Sequence, residues 1–165
     1  MRILSHKVME DDINPLNYYR YSPYFAGLAE ESKESRLRFF ERYQKLPELV
    51  KDFMTSPKAA DYLWTLGQNN NFTDDQITIM ARKVREVVVG KIPLESFASE
   101  IARELPCDQN YAAELVRFIT NDLFAPVMED IKKIQREMAP PPPTPPISSQ
   151  ETNKNNIIDL RELSE

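Results

Sequence analysis

Apolar side chains recur every three or four residues over most of this chain, which is the spacing of amphipathic helices. Residues 73–90 are the clearest case. Their apolar positions are Ile77, Met80, Ala81, Val84, Val87 and Val88. Thr73 followed by Gln76 forms the pattern of a capping box, and Gly90 marks the end of the segment. The pattern predicts one long helix from Thr73 to Gly90.

The same spacing predicts further helices on both sides of this one. Ser32 or Ser35 can cap a helix that runs to about Lys45. Its buried side would hold Leu37, Phe39, Phe40 and Tyr43. The other predicted starts are Pro47, Ser56 with Pro57, Pro93, Asp108 and Pro126. Short connections favour antiparallel neighbours, so we predict an all-α bundle of about six or seven short antiparallel helices over residues 33–138.

Residues 1–32 show no steady period, and Pro15 and Pro23 interrupt them. We therefore predict an extended N-terminal arm. The arm is rich in aromatic residues, namely Tyr18, Tyr19, Tyr21, Tyr24 and Phe25. It is either a strap packed on its own domain or an interface, since tyrosine offers a large contact area with a polar tip.

The helical pattern stops after Met138. Six prolines fall between Pro140 and Pro146, which favours a semi-rigid polyproline spacer, although such a run can also bind an aromatic groove of the SH3 or WW type. Residues 139–155 are predicted to be a proline-rich, disordered linker. Residues 156–165 form a separate C-terminal peptide motif.

The C-terminal motif holds a small apolar group that cannot form a core alone. Its candidate partner-binding residues are Ile157, Ile158, Asp159, Leu160, Arg161 and Leu163. As a strand the motif could extend a sheet edge, and as a helix it could fill a groove. The alternatives are a loose tail or a tail that folds back on its own bundle.

Composition limits the classes of function. The 165 residues carry a formal net charge of −5, which disfavours binding to nucleic acid or to an anionic membrane. No window of eighteen apolar residues predicts a membrane span, and no secretory signal is visible. The single cysteine, Cys107, excludes an internal disulfide. We therefore expect a cytoplasmic protein.

Residues that carry chemistry are scarce. His6 is the only histidine, so a His/Cys zinc site within the chain is not available. Cys107 lies near a predicted helix start, but no histidine lies close in sequence, and a structural cysteine is the better interpretation. Glycine-rich phosphate loops are absent. We predict no catalytic residue, no metal site and no cofactor.

Basic side chains cluster on two predicted helices. One group holds Arg82, Lys83, Arg85 and Lys91, and the other holds Lys132, Lys133 and Arg136. We interpret both as solvated faces. Two alternative functions stay open. One is a nucleic-acid-associated regulator that uses Arg82, Arg85, Lys132 and Lys133, and the other is a small-ligand-binding protein with a pocket inside the bundle.

Several segments together resemble a known kind of domain. They are Leu46-Pro47-Glu48-Leu49, Thr65-Leu66-Gly67, Phe72-Thr73-Asp74-Asp75-Gln76-Ile77, Val89-Gly90-Lys91-Ile92-Pro93 and Phe124-Ala125-Pro126-Val127. Over roughly half of its length the chain resembles small all-helical domains of uncharacterised proteins from candidate-phyla bacteria. Some of these end in a segment similar to residues 157–161. The resemblance implies a bacterial cytoplasmic helical protein and brings no catalytic residues.

Taken together, these patterns predict contact with another protein. We expect a non-enzymatic adaptor or scaffold module whose tethered C-terminal peptide docks on a partner. Self-association through one helix face is a second possible contact. A tether of this kind raises the local concentration of its end near a neighbouring site.

Overall fold

The computed structural model describes residues 14–144, which form eight α-helices and no strand. The helices are α1 (Pro15–Tyr21), α2 (Lys33–Gln44), α3 (Glu48–Thr55), α4 (Pro57–Asn69), α5 (Asp74–Val88), α6 (Phe97–Glu104), α7 (Gln109–Phe118) and α8 (Met128–Met138). Short 3-10 turns at Leu94–Ser96 and Ala125–Val127 precede α6 and α8. The predicted all-helical bundle is confirmed, with one helix more than expected.

The helix starts lie where the capping residues indicated. The side chains of Ser32, Ser56 and Asp108 accept hydrogen bonds from backbone N–H groups in the first turns of α2, α4 and α7. At α5, the Gln76 N–H donates to the Thr73 hydroxyl (3.3 Å) and the Thr73 N–H donates to the Gln76 amide oxygen (2.8 Å). This reciprocal pair satisfies two N–H groups that have no partner within the helix.

Helix α5 is the centre of the bundle. All six of its predicted apolar positions are fully buried. Helices α4 and α6, which precede and follow α5 in the sequence, pack against it, and so do α1 and α8. Every residue from 83 to 89 is buried, so the C-terminal half of α5 is covered on all sides.

Gly67 has a role that the sequence did not indicate. It lies inside α4, which continues to Asn69. A Cβ at this position would lie 2.3 Å from Cγ1 of Ile77. The glycine therefore allows α4 to approach α5 closely, and the helix ends further on, before Asn71 with its positive φ of 56°.

The predicted extended arm is wrong for the part that the structure describes. Residues 15–21 form α1, which packs mainly on α4, and residues 22–31 continue as a series of turns. We call residues 22–31 the strap. Asn14 caps α1 by accepting from the Leu16 N–H (3.0 Å), and Pro15 suits the first helical turn. Pro15 therefore starts a helix here and does not interrupt one.

The helix that begins after Asp108 changes form near its end. Helix α7 passes into a π-helical turn at Ile119–Leu123. The Tyr62 hydroxyl donates to the backbone oxygen of Phe118 (3.1 Å) at this transition. A partner from α4 thus helps to satisfy the backbone where the helix widens.

Helix α8 closes the bundle next to the end of α5. The amide nitrogen of Gln135 donates to the backbone oxygens of Val87 (2.7 Å) and Ile92 (2.9 Å). Met138 packs on Gly90, and a Cβ added at Gly90 would lie 2.9 Å from Cγ of Met138. The first four prolines of the linker follow and are exposed.

Candidate interaction surface

Helix α1 has two different sides. On the inner side, the Tyr18 hydroxyl donates to the backbone oxygen of Thr55 (2.8 Å), and the Tyr21 hydroxyl donates to Oδ1 of Asp74 (2.8 Å). On the outer side, Leu16 is 77% exposed and Tyr19 is 58% exposed. Because Leu16 and Tyr19 are three residues apart, they lie on the same face of the helix. Their apolar surface is left to the solvent.

The exposed Tyr19 belongs to a continuous set of aromatic rings, which we call the aromatic cluster. Its members are Tyr18, Tyr19, Tyr24, Phe25, Phe39, Phe40 and Tyr43. Tyr19 contacts Phe25 edge to face (centroids 5.1 Å apart), and Phe25 contacts Tyr24 in the same way (4.7 Å). Tyr24 then contacts Phe39 (5.5 Å) and Tyr43 (4.9 Å) of α2. The cluster therefore joins α1, the strap and α2.

Four of the five aromatic residues predicted for the N-terminal segment take part in this cluster. Tyr21 does not, because it is buried and bonded to Asp74. The sequence did not indicate that the three rings of α2 belong to this cluster, because their helical spacing is equally typical of a buried core. Only Phe39 of those rings is buried, and Leu37, expected on the buried side, is 51% exposed. The signal that could have revealed the cluster is the run of three aromatic residues, Phe39, Phe40 and Tyr43, within five positions.

Arg85 holds the strap beneath the cluster. It is only 2% exposed, and one guanidinium nitrogen donates to the backbone oxygens of Ala26 (2.7 Å) and Tyr24 (3.3 Å). The other pairs with the Glu31 carboxylate. The guanidinium carbon also lies over the Phe39 ring, 5.1 Å from its centre. Burial lowers the pKa of Arg85 below its ordinary value, and the Glu31 charge opposes that shift.

The prediction of a solvated basic face on α5 is wrong for Lys83 and Arg85, because the strap and α6 cover them. Lys83 pairs with Glu104 (2.6 Å), Glu86 (3.1 Å) and Glu100 (3.3 Å). Lys91 pairs with Glu86 (2.8 Å), and Arg82 with Glu104 (2.6 Å). Each of these cations has an acidic partner. On α8, Lys132 and Lys133 are exposed, as expected.

The ion pairs shift the pKa of their members. Burial alone would raise the pKa of Glu86, but hydrogen bonds and charge from Lys91 and Lys83 hold it below its ordinary value. Glu104 behaves in the same way, with its pKa lowered by Lys83 and Arg82 against the effect of burial. Burial would lower the pKa of Lys83, yet its acidic partners raise it. These groups are therefore charged at neutral pH.

Two clefts border the ion pairs of α5. One, of about 210 Å³, lies between α2 and α5 and is lined by charged side chains that include Arg38, Arg42 and Glu86. The other, of about 400 Å³, lies between α5 and α6 and is lined largely by the paired side chains already described. Small-molecule pockets are mostly apolar with a few polar groups. The lining of the cleft between α5 and α6 does not favour the small-ligand alternative.

Cys107 and the acidic side chains are the remaining candidates for chemistry among residues 14–144. Cys107 is half-buried, and burial raises the pKa of its thiol, which opposes thiolate formation. Within residues 14–144, no group of three His, Cys, Asp or Glu side chains is placed to hold a metal ion. No helix in that range is both long and apolar enough to cross a membrane.

His6 and the predicted partner-binding residues of the C-terminal motif lie outside the described residues. Comparison of the chain with protein-family models, curated proteins and solved structures gave no match. The resemblance to helical domains of candidate-phyla bacteria therefore stays a prediction.

Proposed function

We propose that this chain is a non-enzymatic protein–protein interaction module, an adaptor or scaffold. It contacts one partner surface with the aromatic cluster and docks its tethered C-terminal motif on the same partner. The observation that carries the proposal is the outer face of α1, where Leu16 and Tyr19 stay exposed beside Phe25. Two large apolar side chains on one short helix leave surface that binding would bury.

The chemistry of the aromatic cluster favours a protein as the partner. Tyrosine and phenylalanine are enriched at the centres of interfaces, and such rings carry much of the binding energy when they are fully desolvated. Tyr19 and Phe25 are also held by edge-to-face contacts with Tyr18 and Tyr24, so little side-chain freedom is lost on binding. An apolar helix face or an extended apolar segment fits this surface.

The position of the tether supports a second contact. Helix α8 ends at Met138, and the four prolines that follow are exposed. Eighteen residues, 139–156, separate that end from the apolar group of residues 157–163. A linker of this length makes the second contact intramolecular once the first has formed, which raises the apparent affinity without new contacts in the bundle.

Affinity purification from the native host with mass spectrometry tests the proposal. We expect the double variant Leu16→Ser/Tyr19→Ser to lower recovery of the partner about tenfold, which corresponds to about 1.4 kcal/mol of binding energy. Deletion of residues 156–165 should also weaken recovery. Leu49→Ser is the matched control, since Leu49 is 54% exposed on α3. Equal recovery by wild type, the double variant and the deletion would overturn the proposal.

A further inference from the structure

The buried guanidinium of Arg85 directs its polar contacts to one element. Its hydrogen bonds reach the Tyr24 and Ala26 oxygens, and its ion pair reaches Glu31, all within the strap. Further hydrogen bonds tie the strap to the bundle, and one of them runs from the Ser35 hydroxyl of α2 to the Glu31 carboxylate (2.6 Å). The Ser22 hydroxyl donates to the Met54 backbone oxygen (2.9 Å), and the Tyr24 N–H donates to the same oxygen (3.2 Å). Among these ties, Arg85 supplies the ion pair.

The hydrogen-bond donors of the Arg85 guanidinium can find partners both when the strap is docked and when it is lifted. With the strap in place, two carbonyl oxygens and one carboxylate surround the guanidinium. If the strap lifted, water would replace them. An apolar side chain would be satisfied only under the strap, and buried ion pairs often give no more stability than apolar residues of similar volume. The charge therefore makes docking of the strap depend on Glu31.

Tyr24 connects this tie to the interaction surface. Its backbone oxygen accepts from Arg85, while its ring contacts Phe25, Phe39 and Tyr43. Tyr24 is the link through which Tyr19 and Phe25 join the rings of α2. Lifting the strap would carry Tyr24 and Phe25 away from α2 and break the cluster in the middle.

We infer that Arg85 and Glu31 are positioning residues that latch the strap onto α5 and thereby hold the aromatic cluster in its binding geometry. Release of this pair is a way to switch the surface off while the bundle stays folded. The consequence for binding rests on the proposed function, whereas the latch itself does not.

Amide hydrogen exchange of the full chain tests the latch. We expect Glu31→Gln to speed exchange of the amides in residues 22–31 at least tenfold, with exchange in α5 and α7 unchanged. Glu34→Gln is the matched control, because Glu34 pairs with Arg38 on the exposed side of α2 and should leave strap exchange as in wild type. Should Glu31→Gln fail to fold, Glu31→Asp, which shortens the side chain, carries the same expectation.

A double-mutant cycle assigns the effect to the pair. In an Arg85→Met background, Glu31→Gln should change strap exchange much less than it does in wild type. Equal acceleration in both backgrounds, or unchanged strap exchange in Glu31→Gln, would overturn the inference. Faster exchange throughout α5 and α7 would also overturn it, since it would mean global unfolding.

Partner recovery separates failure of the latch from failure of the proposed function. If Leu16→Ser/Tyr19→Ser loses the partner while Glu31→Gln leaves strap exchange unchanged, the latch is wrong and the function stands. If Glu31→Gln opens the strap while neither the surface variant nor the tail deletion affects recovery, the latch stands and the function is wrong.

Discussion

The close approach of α4 and α5 at Gly67 predicts a measurable cost for Gly67→Ala. The added methyl group would lie 2.3 Å from Cγ1 and 2.6 Å from Cδ1 of Ile77, whereas unstrained carbon contacts are about 3.5–4.0 Å. Ile77 is fully buried and branched at Cβ, so it cannot easily turn away. Overpacking of this severity costs about 3 kcal/mol. Alanine returns about 1 kcal/mol through its better helix propensity, which leaves a net loss of about 2 kcal/mol.

Urea unfolding followed by far-UV circular dichroism measures this loss. Ile77→Ala alone should cost about 2–5 kcal/mol because it leaves a cavity. The double variant Gly67→Ala/Ile77→Ala should lose less than the sum of the two single variants, since the new methyl group enters space that the isoleucine vacates. A Gly67→Ala protein as stable as wild type, or strictly additive losses, would refute the explanation based on close approach.

Two further predictions concern the ion pairs and α8. The folded-state pKa values of Glu86 and Glu104 lie below their ordinary values, so their contribution to stability is complete above about pH 4.3 and is lost as the pH falls through the folded values. Urea midpoints measured from pH 7 to pH 3 should therefore fall less steeply for Glu104→Gln than for wild type, and parallel curves would contradict this. Gln135→Leu should lower the free energy of unfolding by about 1–3 kcal/mol, because the Val87 and Ile92 oxygens lose their donor. The exposed neighbour Arg136→Leu serves as its control in the same urea titration and should change stability by no more than about 0.5 kcal/mol.

The seven helices α2 to α8 could be predicted because their signals are local. Each of them has an apolar face, and each begins near a capping side chain, as in α2, α4, α5 and α7, or near a proline, as in α3, α6 and α8. Thr73 and Gln76 illustrate this, since both hydrogen bonds of the capping box join residues three apart. Such contacts form wherever the segment becomes helical, and tertiary packing does not alter them.

Helix α1 was missed because it has apolar residues on two sides. Tyr18 and Tyr21 face the bundle, while Leu16 and Tyr19 face the solvent, and the two pairs overlap along only seven residues. The apolar residues of such a segment therefore do not show the three- and four-residue spacing of one buried helix face. Leu16 and Tyr19, which obscure the helical spacing of α1, are also the pair on which the proposed interface rests.

The basic residues of α5 show why a cluster of like charges in sequence does not predict a charged surface. Lys83 and Arg85 sit on opposite covered sides of one helix, and their acidic partners include residues up to 54 positions away. Pairing at that separation is decided by the fold and leaves no trace in helical spacing. Once the pairs form, the patch presents little net charge to a polyanion. The basic residues of α5 therefore give little support to nucleic-acid contact, and the aromatic cluster is the surface proposed here for a partner.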